Sequence, residues 1–112
     1  MTKRSSPPVL PGSPTDLVAI AFGNCQVILA WTECGAGGLG SRIERADGNG
    51  PYGPFVEIGG VGPHVTAFND VSVKPRTTYA YRVHAWNASG DSSPSNVEEV
   101  TTPQDEMEIP AD

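Results

Sequence analysis

The stretch TYAYRVHAW, residues 78–86, alternates between two kinds of side chain. Successive side chains of an extended strand point to opposite faces, so one face would carry Tyr79, Tyr81, Val83 and Ala85. The other face would carry Ala80, Arg82, His84 and Trp86. A slip of register by one residue would bury Arg82. The stretch therefore predicts a strand with one face in the core and the other toward solvent.

Six further short runs alternate in the same way and are bounded by Gly, Pro, Asn and Asp. They are TDLVAIA (15–21), CQVILAW (25–31), SRIERA (41–46), FVEIGGV (55–61), HVTAFND (64–70) and SNVEEVTT (95–102). No window has a sustained helical period. Seven short strands at this spacing predict an all-β chain folded as a β-sandwich.

Five segments resemble, in order, the pattern of fibronectin type III domains: PGSPTDLVAIA, VILAW, SRIERADG, AFNDVSVKPRTTYAYRVHAWNASGDSSPSN and VTTP. The resemblance covers about residues 11–103 and is most specific in the run VKPRTTYAYRVHAWN and in Trp31 on the second strand. It implies a seven-stranded immunoglobulin-like β-sandwich of fibronectin type III type. It further implies that Trp31 lies in the core and that the Tyr79 hydroxyl reaches backbone near residues 73–75 as a tyrosine corner.

The chain of 112 residues has the length of one domain. Residues 14–103 are assigned to the fibronectin type III domain. Residues 1–13 are predicted to be a disordered Pro-rich linker, and residues 104–112 a disordered acidic tail. Residues 1–14 lack the apolar core of a signal peptide, and no stretch approaches the roughly 20 apolar residues of a membrane span. We expect neighbouring domains of a parent chain as partners.

The net charge of −6 excludes one class of partner. Between residues 15 and 102 the sequence has five scattered bases and a net charge of −4, from five bases and nine acids. Nucleic-acid phosphates favour clustered Lys and Arg, so we expect no nucleic-acid binding.

The outward stripe Arg82, His84 and Trp86 is a candidate contact for a protein or carbohydrate partner, because an aromatic ring beside a guanidinium can bind either. The alternative, which we favour, is that Trp86 lies under the adjacent loop or stacks along Arg82. Tyr52 is a second candidate contact, in a loop rich in Gly and Pro. Tyr52 and Phe55 could instead pin that loop.

Asn87-Ala88-Ser89 matches the N-glycosylation pattern, so a glycan at Asn87 is chemically possible. We favour a structural role, because Asn87 follows the inward series at the end of its strand, where Asn side chains bond turn backbone. Gly90-Asp91-Ser92 occupies the place of an integrin-binding loop but has Ser89 where such a loop has arginine. Gly90 is therefore interpreted as a turn residue with positive φ.

Catalytic chemistry finds no support in the sequence. Glu98 and Glu99 are neighbours on a strand and point to opposite faces, so they cannot form an acid/base pair. His64 and His84 lie on different strands without ligand spacing, so we expect no metal and no cofactor.

Cys25 and Cys34 flank a strand of eight residues, QVILAWTE. At about 3.3 Å per residue their Cα atoms would lie far beyond the roughly 7 Å that a disulfide allows. We expect no disulfide between them, a half-buried Cys25 and a Cys34 in a loop.

These features predict a non-catalytic module that acts as a spacer or accessory domain in a larger, extracellular protein. The Gly-rich loops and the segment YRVHAWNASGDSSPSN resemble modules attached to secreted bacterial carbohydrate-active enzymes. The alternative is a recognition module that binds a protein through its loops or through the outward face of the sixth strand.

Overall fold

The computed structural model describes residues 9–35, 38–48 and 51–104. They form eight strands: β1 Thr15–Ala21, β2 Val27–Thr32, β3 Gly40–Asp47, β4 Val56–Val61, β5 Ala67–Asp70, β6 Thr78–Asn87, β7 Gly90–Asp91 and β8 Glu98–Thr101. Each of the seven predicted strands is confirmed, and β7 is an additional pair of residues after the turn that ends β6. Most of the predicted linker and tail, residues 1–8 and 105–112, lies outside the described residues, so their disorder stays a prediction.

The strands form two antiparallel sheets, which confirms the predicted sandwich. One sheet has the order β1-β2-β5, and the other has the order β4-β3-β6-β7, with β8 also paired to β6. The longest strand, β6, lies in the middle of its sheet because β3 pairs along its length and β8 pairs with its first half. The described residues include no helix that could cross a membrane.

The core lies between the inner faces of the two sheets. It contains Leu17, Val27, Leu29, Trp31, Ile43, Val73, Tyr79, Tyr81 and Val83. The predicted inward residues of β6 thus lie in the core, except that Ala85 at the end of the strand is only half-buried. The outward Ala80 is a correction: it is fully buried, because it is a small side chain between paired Ala46 and Glu99.

The tyrosine corner forms as the resemblance implied. The backbone N–H of Lys74 donates a hydrogen bond of 2.9 Å to the hydroxyl oxygen of Tyr79. This bond ties the loop before β6 to the second residue of that strand, whose ring lies in the core.

A buried carboxylate, Asp70, joins the two sheets at the end of β5. The Tyr81 hydroxyl donates to Asp70 Oδ2 at 2.7 Å, and Arg45 Nη1 donates to the same oxygen at 2.9 Å. The backbone and hydroxyl of Ser72 donate to Oδ1 at 3.0 and 2.6 Å. Burial alone would raise the pKa of Asp70, but these hydrogen bonds outweigh it and hold the pKa below its usual value. Burial and the Asp70 charge both raise the pKa of Tyr81.

The two ends of the described chain lie at opposite poles of the sandwich. Near the start, the Val9 carbonyl accepts a hydrogen bond of 2.9 Å from Asn87 Nδ2, at the end of β6. Near the finish, the Pro103 carbonyl accepts one of 3.2 Å from the N–H of Arg76, just before β6 begins at Thr78. Since β6 has ten residues, the poles are about 30 Å apart at about 3.3 Å per residue.

The prediction for Cys25 is wrong, because both Cys25 and Cys34 are free and exposed. Cys25 lies in the tight connection before β2, which is closed by a 2.8 Å hydrogen bond from the Phe22 N–H to the Gln26 carbonyl. That connection is too short to be folded under the sheet, so its tip is at the surface.

Candidate functional site

The predicted stripe lies on the outer face of β6, opposite β3. Arg82 pairs in register with Glu44, and His84 pairs with Arg42. Trp86 is at the end of β6, opposite the first residue of β3. The structure therefore brings the three stripe residues together with charged neighbours that the sequence had not assigned to them.

Glu44 is the centre of this outer face. Arg82 Nε donates to Glu44 Oε1 at 2.6 Å, and His84 Nε2 lies 2.9 Å from the same oxygen. The other ring nitrogen of His84, Nδ1, lies 2.8 Å from the Ser92 carbonyl. Burial alone would raise the pKa of Glu44, but the hydrogen bonds with Arg82 and His84 outweigh it and lower the pKa. Arg82 Nε and both ring nitrogens of His84 are thus already engaged within the domain.

Trp86 is covered by a neighbouring strand. The Arg42 guanidinium lies over the indole ring, 5.0 Å from its centroid, and Arg42 Nε is 3.1 Å from Asp91 Oδ1 on β7. A cation over an indole face adds about 0.5–1 kcal/mol at an exposed site. The favoured alternative had Trp86 under the adjacent loop or stacked along Arg82, but the sheet register places Arg42 over the ring instead.

Tyr52 and Phe55 hold the loop between β3 and β4 against the same face. The Arg82 guanidinium lies over the Phe55 ring at 4.2 Å, and the Tyr52 ring meets Phe55 edge to face at 5.8 Å. The Tyr52 hydroxyl donates to Glu99 on β8, and this hydrogen bond raises the pKa of Tyr52. These contacts match the loop-pinning alternative, while 36% of Tyr52 stays exposed.

Asn87 uses both ends of its side-chain amide within the domain. Its Oδ1 accepts a 2.8 Å hydrogen bond from the Ser89 N–H, which closes the turn to β7, and its Nδ2 donates to the Val9 carbonyl. Nδ2 has two hydrogens and a glycan replaces one of them, so a glycan at Asn87 would have to take the hydrogen that is not donated to Val9. Gly90 in the same turn has a φ of +135°, as expected for its predicted role.

Solved structures with this architecture come from several multidomain proteins. Titin domains A168–A170 are 22% identical and superpose with a TM-score of 0.73 over 84% of this chain. The chicken CNTN1 FN1–FN3 domains are 20% identical, with a TM-score of 0.75 over 84% of this chain. This chain spans about one third of each of those structures, 32% and 33% respectively.

A single-domain structure of similar length decides the fold. The fibronectin type III domain of human fibronectin type III domain containing protein 3 is 26% identical, with a TM-score of 0.71 over 91% of this chain and 94% of its own. The chain has a fibronectin type III fold. No family model matches the sequence.

In this chain the sheet of β1, β2 and β5 has an apolar, exposed outer face. The sequence reasoning missed this face. On β1, on β2 and just after β1 it exposes Val18, Ile20, Phe22 and Ile28, by 47, 60, 64 and 39%. Ile20 and Ile28 are paired in register, so the side chains are contiguous. The signal was present in LVAIAF, where the larger apolar residues alternate with the inward Ala19 and Ala21.

Within residues 9–35, 38–48 and 51–104, the domain holds no cluster of three or more His, Cys, Asp or Glu side chains that could bind a metal ion. His64, in the loop between β4 and β5, is 84% exposed, and its Nδ1 lies 3.2 Å from Glu33 Oε1. His64 and His84 thus pair with different carboxylates at different places.

Proposed function

We propose that this fibronectin type III domain is a non-catalytic spacer or accessory module of a larger, secreted multidomain protein, such as a bacterial carbohydrate-active enzyme. The similarity to structures that contain three domains, titin A168–A170 and CNTN1 FN1–FN3, supports a place in a longer chain. The resemblance of the Gly-rich loops to modules of secreted bacterial enzymes supports the enzyme context. The titratable side chains of the outer β6 face support a non-catalytic role, because they pair with one another.

The observation that carries the spacer role is the position of the two ends. The chain enters at the pole where Val9 meets Asn87 and leaves at the pole where Pro103 meets Arg76. A folded body of about 30 Å between these poles holds its neighbours apart at a fixed distance. A Gly/Ser linker with the same average span needs about 30 residues and has a broad range of distances.

A distance measurement tests the spacer role. Spin labels attached to cysteines at residues 13 and 104, with Cys25 and Cys34 changed to Ser, report the separation of the poles. We expect one narrow distribution near the span of β6, which broadens when the domain is unfolded in guanidinium. A broad distribution under native conditions would show that the domain does not set a fixed distance.

Protein recognition through the loops is the second candidate, because Leu10 and Leu39 are exposed near the pole where the chain enters. Each exposes 51% of its surface. A recognition module should lose affinity for its partner in the variants Leu39→Ser or Trp86→Ala. A spacer should hold its neighbouring domains at the same distance with either change.

The secreted location is tested through the cysteines. Exposed thiols stay reduced in the cytosol but pair with other thiols in oxidising compartments. Cys25 and Cys34 are both exposed. We therefore expect mass spectrometry of the parent protein, isolated from its source without reductant, to find both sulfurs in mixed or intermolecular disulfides. Two free thiols per chain would contradict secretion.

A further inference from the structure

A concave surface lies at the pole where the chain leaves the domain, away from the outer β6 stripe. This basic cleft has a volume of about 580 Å³. It is lined by Arg45, Asp47, Gly48, Ser72, Lys74, Arg76, Thr77, Thr78 and Tyr79. Three of these side chains are cationic and one is anionic.

The charges of the basic cleft differ from those of the rest of the domain. Of the five bases in the described ranges, Arg42, Arg45 and Arg82 form ion pairs with carboxylates. Lys74 and Arg76 are exposed and form no ion pair within those ranges. Both line the cleft, so among the described residues the cations without a carboxylate partner are concentrated at one place on an acidic chain.

The backbone that carries these two cations is held in a fixed shape. The Lys74 N–H is bound by the Tyr79 hydroxyl, and the Thr77 hydroxyl donates to the Pro75 carbonyl at 2.8 Å. Arg76 has a φ of +54°, a conformation that a residue with a side chain adopts only when its surroundings impose it. A pre-shaped loop loses little conformational entropy when it binds a ligand.

The basic cleft continues into a second cleft, which shares Arg76. This neighbouring cleft has a volume of about 470 Å³ and is lined by Arg76, Thr101, Thr102, Pro103 and Gln104. Together the two form a groove with Arg76 at its centre. Such a groove suits an extended peptide better than a compact ion.

We propose that this groove binds an acidic peptide segment, whose carboxylates pair with Lys74 and Arg76. Arginine binds a carboxylate through two parallel hydrogen bonds, and Lys74 adds a second charge two residues away. Two available cations on a domain of net negative charge are too few for a nucleic-acid backbone, which needs several. The polypeptide itself contains a sequence of this chemistry, DEMEIPAD at residues 105–112.

A titration of the full chain tests the proposal. The probe is the synthetic peptide QDEMEIPAD, and the readout is the amide chemical shifts of Lys74 and of residues 76–79 at low ionic strength. We expect saturable shifts that are lost in the double variant Lys74→Gln, Arg76→Asn and that weaken at least severalfold in 0.3 M salt. Asn is chosen at residue 76 because it tolerates positive φ, and both side chains are exposed, so the variant keeps its fold.

Matched controls decide between the outcomes. Arg42→Gln, a change on β3 beside Trp86, should leave the amide chemical shifts of the groove residues unchanged. A neutral peptide, QNQMQIPAN, should not bind. Equal shifts with the neutral peptide or in the double variant, or no shifts at Lys74 and residues 76–79 with the acidic one, would overturn the proposal.

A further variant identifies the source of the segment. In the full chain with Asp105→Asn, Glu106→Gln, Glu108→Gln and Asp112→Asn, the chain's own carboxylates cannot compete with the added peptide. Severalfold tighter binding of the peptide to this variant than to the natural chain would show that residues 105–112 are a ligand of the groove. Equal binding to both would assign the groove to an acidic segment of another domain.

Discussion

The hydroxyl of Tyr81 donates a 2.7 Å hydrogen bond to Asp70, which is 3% exposed, so a strand of one sheet is fastened to a strand of the other inside the core. Arg45 completes the contact from β3. The sandwich is thus stabilised by a polar junction in addition to the apolar packing around it.

Loss of the Asp70 carboxylate should be costly. Asp70→Ala leaves the Arg45 charge and the buried Tyr81 hydroxyl without their shared partner, and breaking a partly buried ion pair in this way costs about 3 kcal/mol. Tyr81→Phe, in which Asp70 keeps Arg45 and Ser72, should cost less, about 1.5 kcal/mol. Urea unfolding measures both variants, and a larger loss for Tyr81→Phe would contradict the central role of Asp70.

Removal of the Tyr79 hydroxyl should cost about 1 kcal/mol of unfolding free energy, because the Lys74 N–H loses its acceptor. Tyr79→Phe keeps the ring in the core and changes only this hydrogen bond. The measurement is the urea midpoint at constant slope. A neutral result would show that the corner contributes nothing to stability.

Glu44 should make stability depend on pH in the acidic range. Its pKa is lower in the folded chain than in the unfolded one, so the unfolded state binds more protons as the pH falls. The resulting stability is complete above the unfolded pKa, near 4, and is lost as the pH drops through the folded pKa. The difference in unfolding free energy between the natural chain and Glu44→Gln should therefore shrink between pH 5 and pH 2. A constant difference would contradict a lowered pKa of Glu44 in the folded chain.

Gly40 should not tolerate a side chain. A Cβ at this position would lie 2.5 Å from the Val61 carbonyl oxygen and 2.8 Å from Trp86 Nε1. Gly40→Ala should therefore destabilise the domain by about 1–3 kcal/mol and displace the indole ring. Gly62→Ala is the matched control, since nothing lies within 4 Å of its added Cβ. Thermal unfolding followed by tryptophan fluorescence compares the two, and equal midpoints would contradict the close contact.

The core-facing side of each strand could be predicted from the sequence, because the alternation of apolar side chains coincides with burial there. Val27, Leu29 and Trp31 share a face in the sequence and lie together in the core. The side-chain contacts on the outer faces could not be predicted in this way, because they depend on which strands become neighbours. The partner of Trp86 is Arg42, which is 44 positions away in the chain and is brought there by the β3–β6 register.

The groove at the exit pole was missed for a related reason. In the sequence its cations are two of the five bases that are scattered between residues 15 and 102. Only the ion pairs of Arg42, Arg45 and Arg82 leave Lys74 and Arg76 as the available ones. Charge composition counts residues, whereas recognition depends on which charges the fold has already neutralised.

The placement of the two ends at opposite poles also determines how the domain would bear tension. β1 begins at one pole and is bonded along its side to β2, and β8 ends at the other pole and is bonded along its side to β6. A pull between the ends is therefore directed along these strands, so it loads each row of backbone hydrogen bonds in shear, all at once rather than one by one. A body of this kind resists stretching far better than it resists peeling from an edge.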